Sequence, residues 1–162
     1  IGKDQNIGWK LTVERSSGKT NKKYNLSVIP DKAFGIYFPN DPPGKNKAIF
    51  FLEADRSTMP VIRSSLYRSS FYKKLVGYWE SYQQNLFQKY FGFKGARMLT
   101  VAKSVQRVDN IITANKQVDS RKKGSKMFLL ATQDSFDVES PKKLLEKIWR
   151  NGKDDELVSL LD

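Results

Sequence analysis

Three carboxylates set the chemistry open to this chain. Asp31 follows Pro30 at the end of one extended segment, and Glu53 and Asp55 close a strongly apolar one, FFLEAD, at residues 50–55. Side chains alternate along a strand, so Glu53 and Asp55 project from the same face. Pairing Phe38 with Lys47 across the intervening turn sets Asp31 opposite Ala54, between the other two acids, and a slip of one or two residues would still bring the three together near the end of the sheet. Three acids gathered in this way repel one another, and a divalent cation relieves the conflict. The adjoining Arg56 is a less demanding remedy, and acids that merely end strands and face water are the plain structural alternative. Mg²⁺, or Mn²⁺ in its place, suits the metal reading because it takes one or two carboxylates together with waters and phosphate oxygens. At a phosphodiester the ion would polarise the phosphoryl oxygen and generate hydroxide from bound water.

Other chemistries are closed. The chain has no Cys and no His, which removes thiolate nucleophiles, zinc and iron–sulfur ligation, disulfides and imidazole bases. Its 162 residues suit a single domain with a real core. The net charge of +12 is spread over the first 150 residues, while residues 151–162 are net acidic. Cations distributed over a whole domain suggest a polyanionic partner, most simply nucleic acid. No apolar run is long enough to span a bilayer and no signal-peptide pattern opens the chain. The expected setting is therefore cytoplasmic, without membrane contact. A chain that opens on Ile1 rather than Met is expected to be a fragment of a longer protein.

The elements that must position the acids follow from periodicity. Trp9–Arg15 alternates as a strand, Tyr24–Ile29 is extended, and Ala33–Phe38 is an apolar strand. Residues 39–46, PNDPPGKN, form a turn, since three prolines and a glycine forbid a ladder there. Ala48–Leu52 is apolar on both faces and belongs inside a covered sheet. From Ser70 to Phe91 the residues Phe71, Leu75, Tyr78, Tyr82, Leu86 and Tyr90 recur at helical spacing. Arg97–Ala102 reads as a strand, and Ser104–Ala114 as a helix with Val105, Val108, Ile111 and Ile112 inward. Lys126–Thr132 is a strand. Ser140 and Pro141 then open a helix whose apolar face is Leu144, Leu145, Ile148 and Trp149. The acidic C-terminus is expected to add one more short helix. Together these elements predict an α/β domain with a mixed sheet flanked by helices.

Ile29-Pro30-Asp31, the segment FFLEADRST at residues 50–58, and a helix carrying Lys74 and Tyr78 together resemble the replication-relaxation family of plasmid and mobile-element proteins. More broadly the chain is similar to the PD-(D/E)xK nuclease superfamily. The resemblance spans most of the chain and implies a restriction-endonuclease-like core, with Asp31 as the first acid and Glu53 as the second. It also implies a role in DNA replication or mobilisation, with replication or mobilisation proteins as further partners; a homodimer is compatible with it. At the third position Asp55 stands where that superfamily has Lys, and the missing ammonium would have oriented water or stabilised developing charge. On a helical wheel Lys74 lies at the margin of the apolar stripe beside Tyr78, so it is the candidate to replace that lysine. The alternatives are that Lys74 is an ordinary basic flank covering apolar surface and Tyr78 a boundary core residue.

Phosphate contacts are expected from long cations in loops and at helix ends. Arg63 and Arg68 lie between the acids and the long helix. Arg121, Lys122, Lys123 and Lys126 form the most concentrated basic loop, and Lys19, Lys22, Lys23, Lys45 and Lys47 add to the count. No pattern that reads base sequence is present. The expected function is a metal-dependent endonuclease, a hydrolase of DNA phosphodiesters, with Asp31, Glu53 and Asp55 holding the metal and Lys74 supporting the attacking water. Its rival is an inactive nuclease-like DNA-binding accessory. An RNA-binding or protein-interaction domain would explain the charge but not the acids.

Overall fold

The computed structural model describes residues 7–162. It is a mixed α/β fold with two sheets. Strands β1 (Trp9–Ser17) and β2 (Thr20–Val28) pair antiparallel as a hairpin of their own. The main sheet has six strands in chain order: β3 (Lys32–Tyr37), β4 (Lys47–Asp55), β5 (Arg97–Ala102), β6 (Phe128–Thr132), β7 (Trp149–Asn151) and β8 (Leu157–Val158). β4, β5 and β6 run parallel to one another, while β3, β7 and β8 pair antiparallel with their neighbours.

Both parallel connections step in the same direction across the sheet. Right-handed crossovers therefore put their helices on one face. These are α1 (Phe71–Gln83) and α2 (Leu86–Phe91) between β4 and β5, and α3 (Val105–Asn115) between β5 and β6. Phe51, Met98, Phe128 and Leu130 of the sheet meet Phe71, Leu75, Tyr78, Val108 and Ile111 of the helices in the larger core. The hairpin joins this face through Trp9. Its ring lies 5.2–5.8 Å from the rings of Phe51, Tyr78, Phe87 and Phe91, and its Nε1 donates to Ser81 Oγ at 2.7 Å.

Gly77 allows the close approach of α1 to the hairpin, since a Cβ there would stand 2.8 Å from Val28 Cγ2. Gly77→Val is therefore expected to cost about 1–3 kcal/mol by overpacking. Thermal melting checks this: an unchanged Tm would show that β2 yields freely.

Several elements differ from what periodicity predicts. The helix from Ser70 to Phe91 is interrupted at Asn85, which takes a left-handed conformation (φ 56°). The break rotates the following turn, so Phe87 is buried and Tyr90 exposed; Tyr82, near the end of α1 before the break, is exposed as well. Val105, in the first turn of α3, is also exposed rather than inward. Near the C-terminus the predicted helix is only a 3-10 turn over Pro141–Leu145, and Ser140 makes no side-chain cap. Trp149 instead opens β7 and, with Phe50, Leu99, Leu129 and Leu160, fills the sheet face that has no helices. The edge of β6 and that uncovered face together outweigh a local helical pattern, because unpaired strand groups and exposed apolar area are both relieved by a strand there. The acidic end likewise supplies β8 rather than a helix.

The β3–β4 register differs from expectation by one residue. Tyr37 pairs with Lys47, and successive turns close Phe38 with Asp41 and Pro42 with Lys45, so that Phe38 N meets Asn46 O at 2.9 Å. Continuing this register brings Asp31 level with Glu53, and Asp31 N donates to Leu52 O at 3.0 Å. A one-residue step exchanges the faces of a strand. This register thus places Asp31 on the face of Glu53, whereas the predicted one would have placed it with Ala54.

Candidate functional site

β4 carries Glu53 and Asp55 toward the helix face at the end where the parallel strands exit, and both are buried. Their surroundings divide them. Glu53 faces α1, whose Lys74 and Tyr78 are four residues apart and so lie on one side of the helix. Tyr78 Oη donates to Glu53 Oε1 at 2.8 Å, and Lys74 Nζ donates to Glu53 Oε2. The helix is set in place by Ser70, whose Oγ accepts from Lys73 N at 3.1 Å as an N-cap. Asp31 reaches the same place from the start of β3, its Oδ2 accepting from Ala54 N at 2.8 Å.

Burial raises the Glu53 carboxyl above its ordinary range, Lys74 and Tyr78 pull it back in part, and Asp31 pushes it up again. The Tyr78 phenol is raised too, first by burial and then by the charges of Glu53 and Asp31. Tyr78 is therefore a permanent donor that orients Glu53, not an acid of the reaction. A cavity of about 180 Å³ opens beside the pair, lined by Ser27, Val28, Ile29, Glu53 and Lys74.

Asp55 does not join this group. Arg107 grips it with both arms, Nε to Oδ2 at 2.6 Å and Nη2 to Oδ1 at 2.9 Å, and Nη2 also donates to Met59 O at 2.8 Å. Ser57 adds its backbone N–H to Oδ1 at 3.3 Å. Asp55 thus clamps β4, the following loop and α3 together, with both carboxylate oxygens engaged by Arg107, whereas the sequence predicts that it gathers with Asp31 and Glu53 around a metal. Among the described residues no three Asp, Glu, His or Cys side chains gather as a metal site. What remains is the carboxylate pair Asp31 and Glu53, with Lys74 against it.

The basic residues also divide. Arg63 and Arg68 lie in the 56–70 loop that links β4 to α1, at the acid end; Arg63 Nε donates to Ser69 O at 2.9 Å. Arg121, Lys122, Lys123 and Lys126 lead into β6, which runs parallel to β4, and so lie at the opposite end of the sheet. That loop is anchored, not loose. Asn115 Nδ2 donates to Ser125 O at 3.1 Å and to Gly152 O at 2.6 Å, Lys122 and Gly124 have positive φ, and Lys126 pairs with Asp154 at 2.9 Å.

Sequence reasoning did not group two exposed cations at the acid end, Arg56 and Lys103, because their common position appears only once β4 and β5 are seen to run side by side. It also missed Arg107. A signal existed for that residue: Arg107 follows the N-cap Ser104 by three positions, where a cation opposes the helix dipole and calls for a compensating anion.

Comparison with protein-family models, with curated proteins and with solved structures returns no match for this chain. None of its described helices is long and apolar enough to cross a membrane.

Proposed function

We propose that this chain is a nuclease-like domain that binds DNA and acts on its phosphodiesters with a divalent metal, Mg²⁺ or Mn²⁺. The observation that carries the reading is Lys74 seated on Glu53, with Asp31 alongside, at the open end of the sheet. The lysine absent from the strand position of Asp55 is replaced by one arriving from α1.

The residues present fit the metal. Asp31 and Glu53 would hold it, matching the one or two carboxylates that Mg²⁺ takes when waters and phosphate oxygens complete its shell. Bound there, the ion would supply polarisation of the phosphoryl group and a more acidic water. Tyr78 orients Glu53. Lys74 carries positive charge at the mouth of the cavity, where a phosphate's developing negative charge would lie. Arg56, Lys103, Arg63 and Arg68 contribute the sequence-independent phosphate attraction.

The motif resemblance to the replication-relaxation family and the PD-(D/E)xK superfamily supports the restriction-endonuclease-like version of this fold and a setting in plasmid or mobile-element replication. A second reading, an inactive DNA-binding accessory, draws on Asp55, whose capture by Arg107 leaves only two acids for a metal.

Nicking of supercoiled DNA with Mg²⁺ or Mn²⁺ tests the choice. Lys74→Met is expected to slow nicking by about 10²–10³-fold, the usual effect of losing one donor to developing charge. Its fold should survive, because the Lys74 side chain is one-third exposed and Met keeps the apolar stem. Tight, salt-sensitive binding with no nicking under either metal would select the accessory reading.

A further inference from the structure

The 56–70 loop is long for a connection without secondary structure, and such loops are commonly functional. It is held in shape at several points. Phe71 N donates to Pro60 O at 3.1 Å, Tyr72 N to Val61 O at 2.8 Å, and Leu66 is buried in the main core. Next to that anchor the chain turns: Arg68 N donates to Ser65 O at 3.3 Å and Tyr67 N to Ser65 Oγ at 3.2 Å. The turn that sinks Leu66 therefore lifts Tyr67 outward.

Tyr67 is 69% exposed, the highest value among the aromatic residues on the protein's surface. One side of its ring leans on Tyr24, with centroids 4.7 Å apart at 52°, while Tyr24 itself is buried in β2. The phenol ring is thus covered on one side by Tyr24 and largely open to solvent elsewhere. A ring that leans on a buried neighbour has less conformational freedom to lose when something stacks on it than one standing free. Arg63 and Arg68 are exposed in the same loop, so the ring sits in a cationic setting.

We infer that Tyr67 is a base-stacking platform, and that the substrate of the neighbouring site is DNA with an unpaired stretch: a branch, a gap or a frayed end. Tyr24 precedes Ser27 of the cavity by three residues of β2, roughly 10 Å at about 3.3 Å per residue. A single strand can therefore lay one base on Tyr67 while its backbone continues to the Asp31 and Glu53 carboxylates. A closed duplex cannot, because its bases already stack on each other. Every base presents a π-face, so such a platform is tolerant of sequence, in keeping with a chain that shows no base-reading pattern. The inference rests on the DNA reading given above and adds the class of DNA.

The test is fluorescence anisotropy in EDTA, with a short labelled oligothymidylate and a duplex of the same length. Tyr67→Leu keeps an apolar cover over Tyr24 but removes the π-face; it is expected to weaken the single strand about 5- to 100-fold and the duplex by less than about twofold, while Tyr67→Phe binds both like the parent. Tyr67→Ala gives a second removal of the ring, with circular dichroism confirming the fold of each variant. Unchanged single-strand binding in Leu and Ala, or equal losses on both probes, would overturn the platform. Tighter binding of the matching oligouridylate would overturn its assignment to DNA. Because EDTA suppresses cleavage, a protein that binds as described but never nicks would end the nuclease reading and leave this one standing.

Discussion

Glu53→Gln is expected to remove metal-dependent nicking and to stabilise the folded chain at neutral pH. The first effect follows from the loss of one of two carboxylates that would hold the ion, and a fall of at least about 10²-fold is the scale for removing such electrostatic support. The second follows from burial. The carboxyl is raised above its unfolded value of about 4.5 in the folded chain, so the folded state keeps its proton to higher pH than the unfolded state does. Below pH 4.5 both states are protonated and the difference vanishes. As pH rises through the folded value, the wild type must hold a desolvated anion, and stability is lost.

Gln, always neutral, has no such loss. It can accept from Tyr78 in the same position, and the partly exposed Lys74 can turn to solvent. The gap in Tm between Glu53→Gln and wild type should therefore open as pH rises from 4 to 8. A gap that is flat or closes over that range would show that Lys74 more than compensates for burial. Stabilisation without loss of nicking would place the chemistry elsewhere. A residue whose removal raises stability and abolishes activity is a common mark of a working site, where function keeps a group that folding would discard.

Arg107→Ala should have the largest effect on stability. The Asp55 and Arg107 side chains are 3% and 12% exposed, and two parallel hydrogen bonds join them. Removing one partner leaves the other charged and buried, at a cost of about 3–5 kcal/mol. For a chain of this size that corresponds to a Tm lower by roughly 6–20 °C. Arg107→Lys should recover only part of this, because an ammonium cannot reproduce the planar fork that meets both carboxylate oxygens. Replacing both partners, as in Asp55→Asn with Arg107→Met, should cost less than Arg107→Ala alone. The same experiment separates the two roles considered for Asp55. If Asp55 were a metal ligand, Mg²⁺ would restore the Tm of Arg107→Ala. The clamp predicts no such rescue.

Much of the fold is legible before any coordinates. Trp9–Arg15, the turn at 39–46 and the apolar run before Glu53 lie where alternation and proline chemistry put them, because each is a local pattern with a local cause. The acid segments were legible too, as was Lys74 at the margin of its stripe. What periodicity could not show was Asn85 breaking the long helix, since a single left-handed residue leaves the 3.6-residue spacing of the letters intact on either side. Nor could it show Trp149 in a strand. That residue's fate depends on an uncovered sheet face created by the handedness of connections far away in sequence.

The residue types alone determined which chemistry is open: carboxylates, lysine and arginine, with no thiol and no imidazole. They also determined that β4 presents Glu53 and Asp55 on one face, because the period of a strand is two. The tertiary structure decided which partner each acid meets. One residue of register moved Asp31 onto the face of Glu53, α1 brought Lys74 and Tyr78 to that carboxylate, and α3 brought Arg107 to Asp55. The two acids stand on one face of the same strand, and the packed helices carry a different cation to each, Lys74 to Glu53 and Arg107 to Asp55. Because a buried carboxylate must be compensated by whatever charge is nearest, that choice is made by packing between elements distant in sequence.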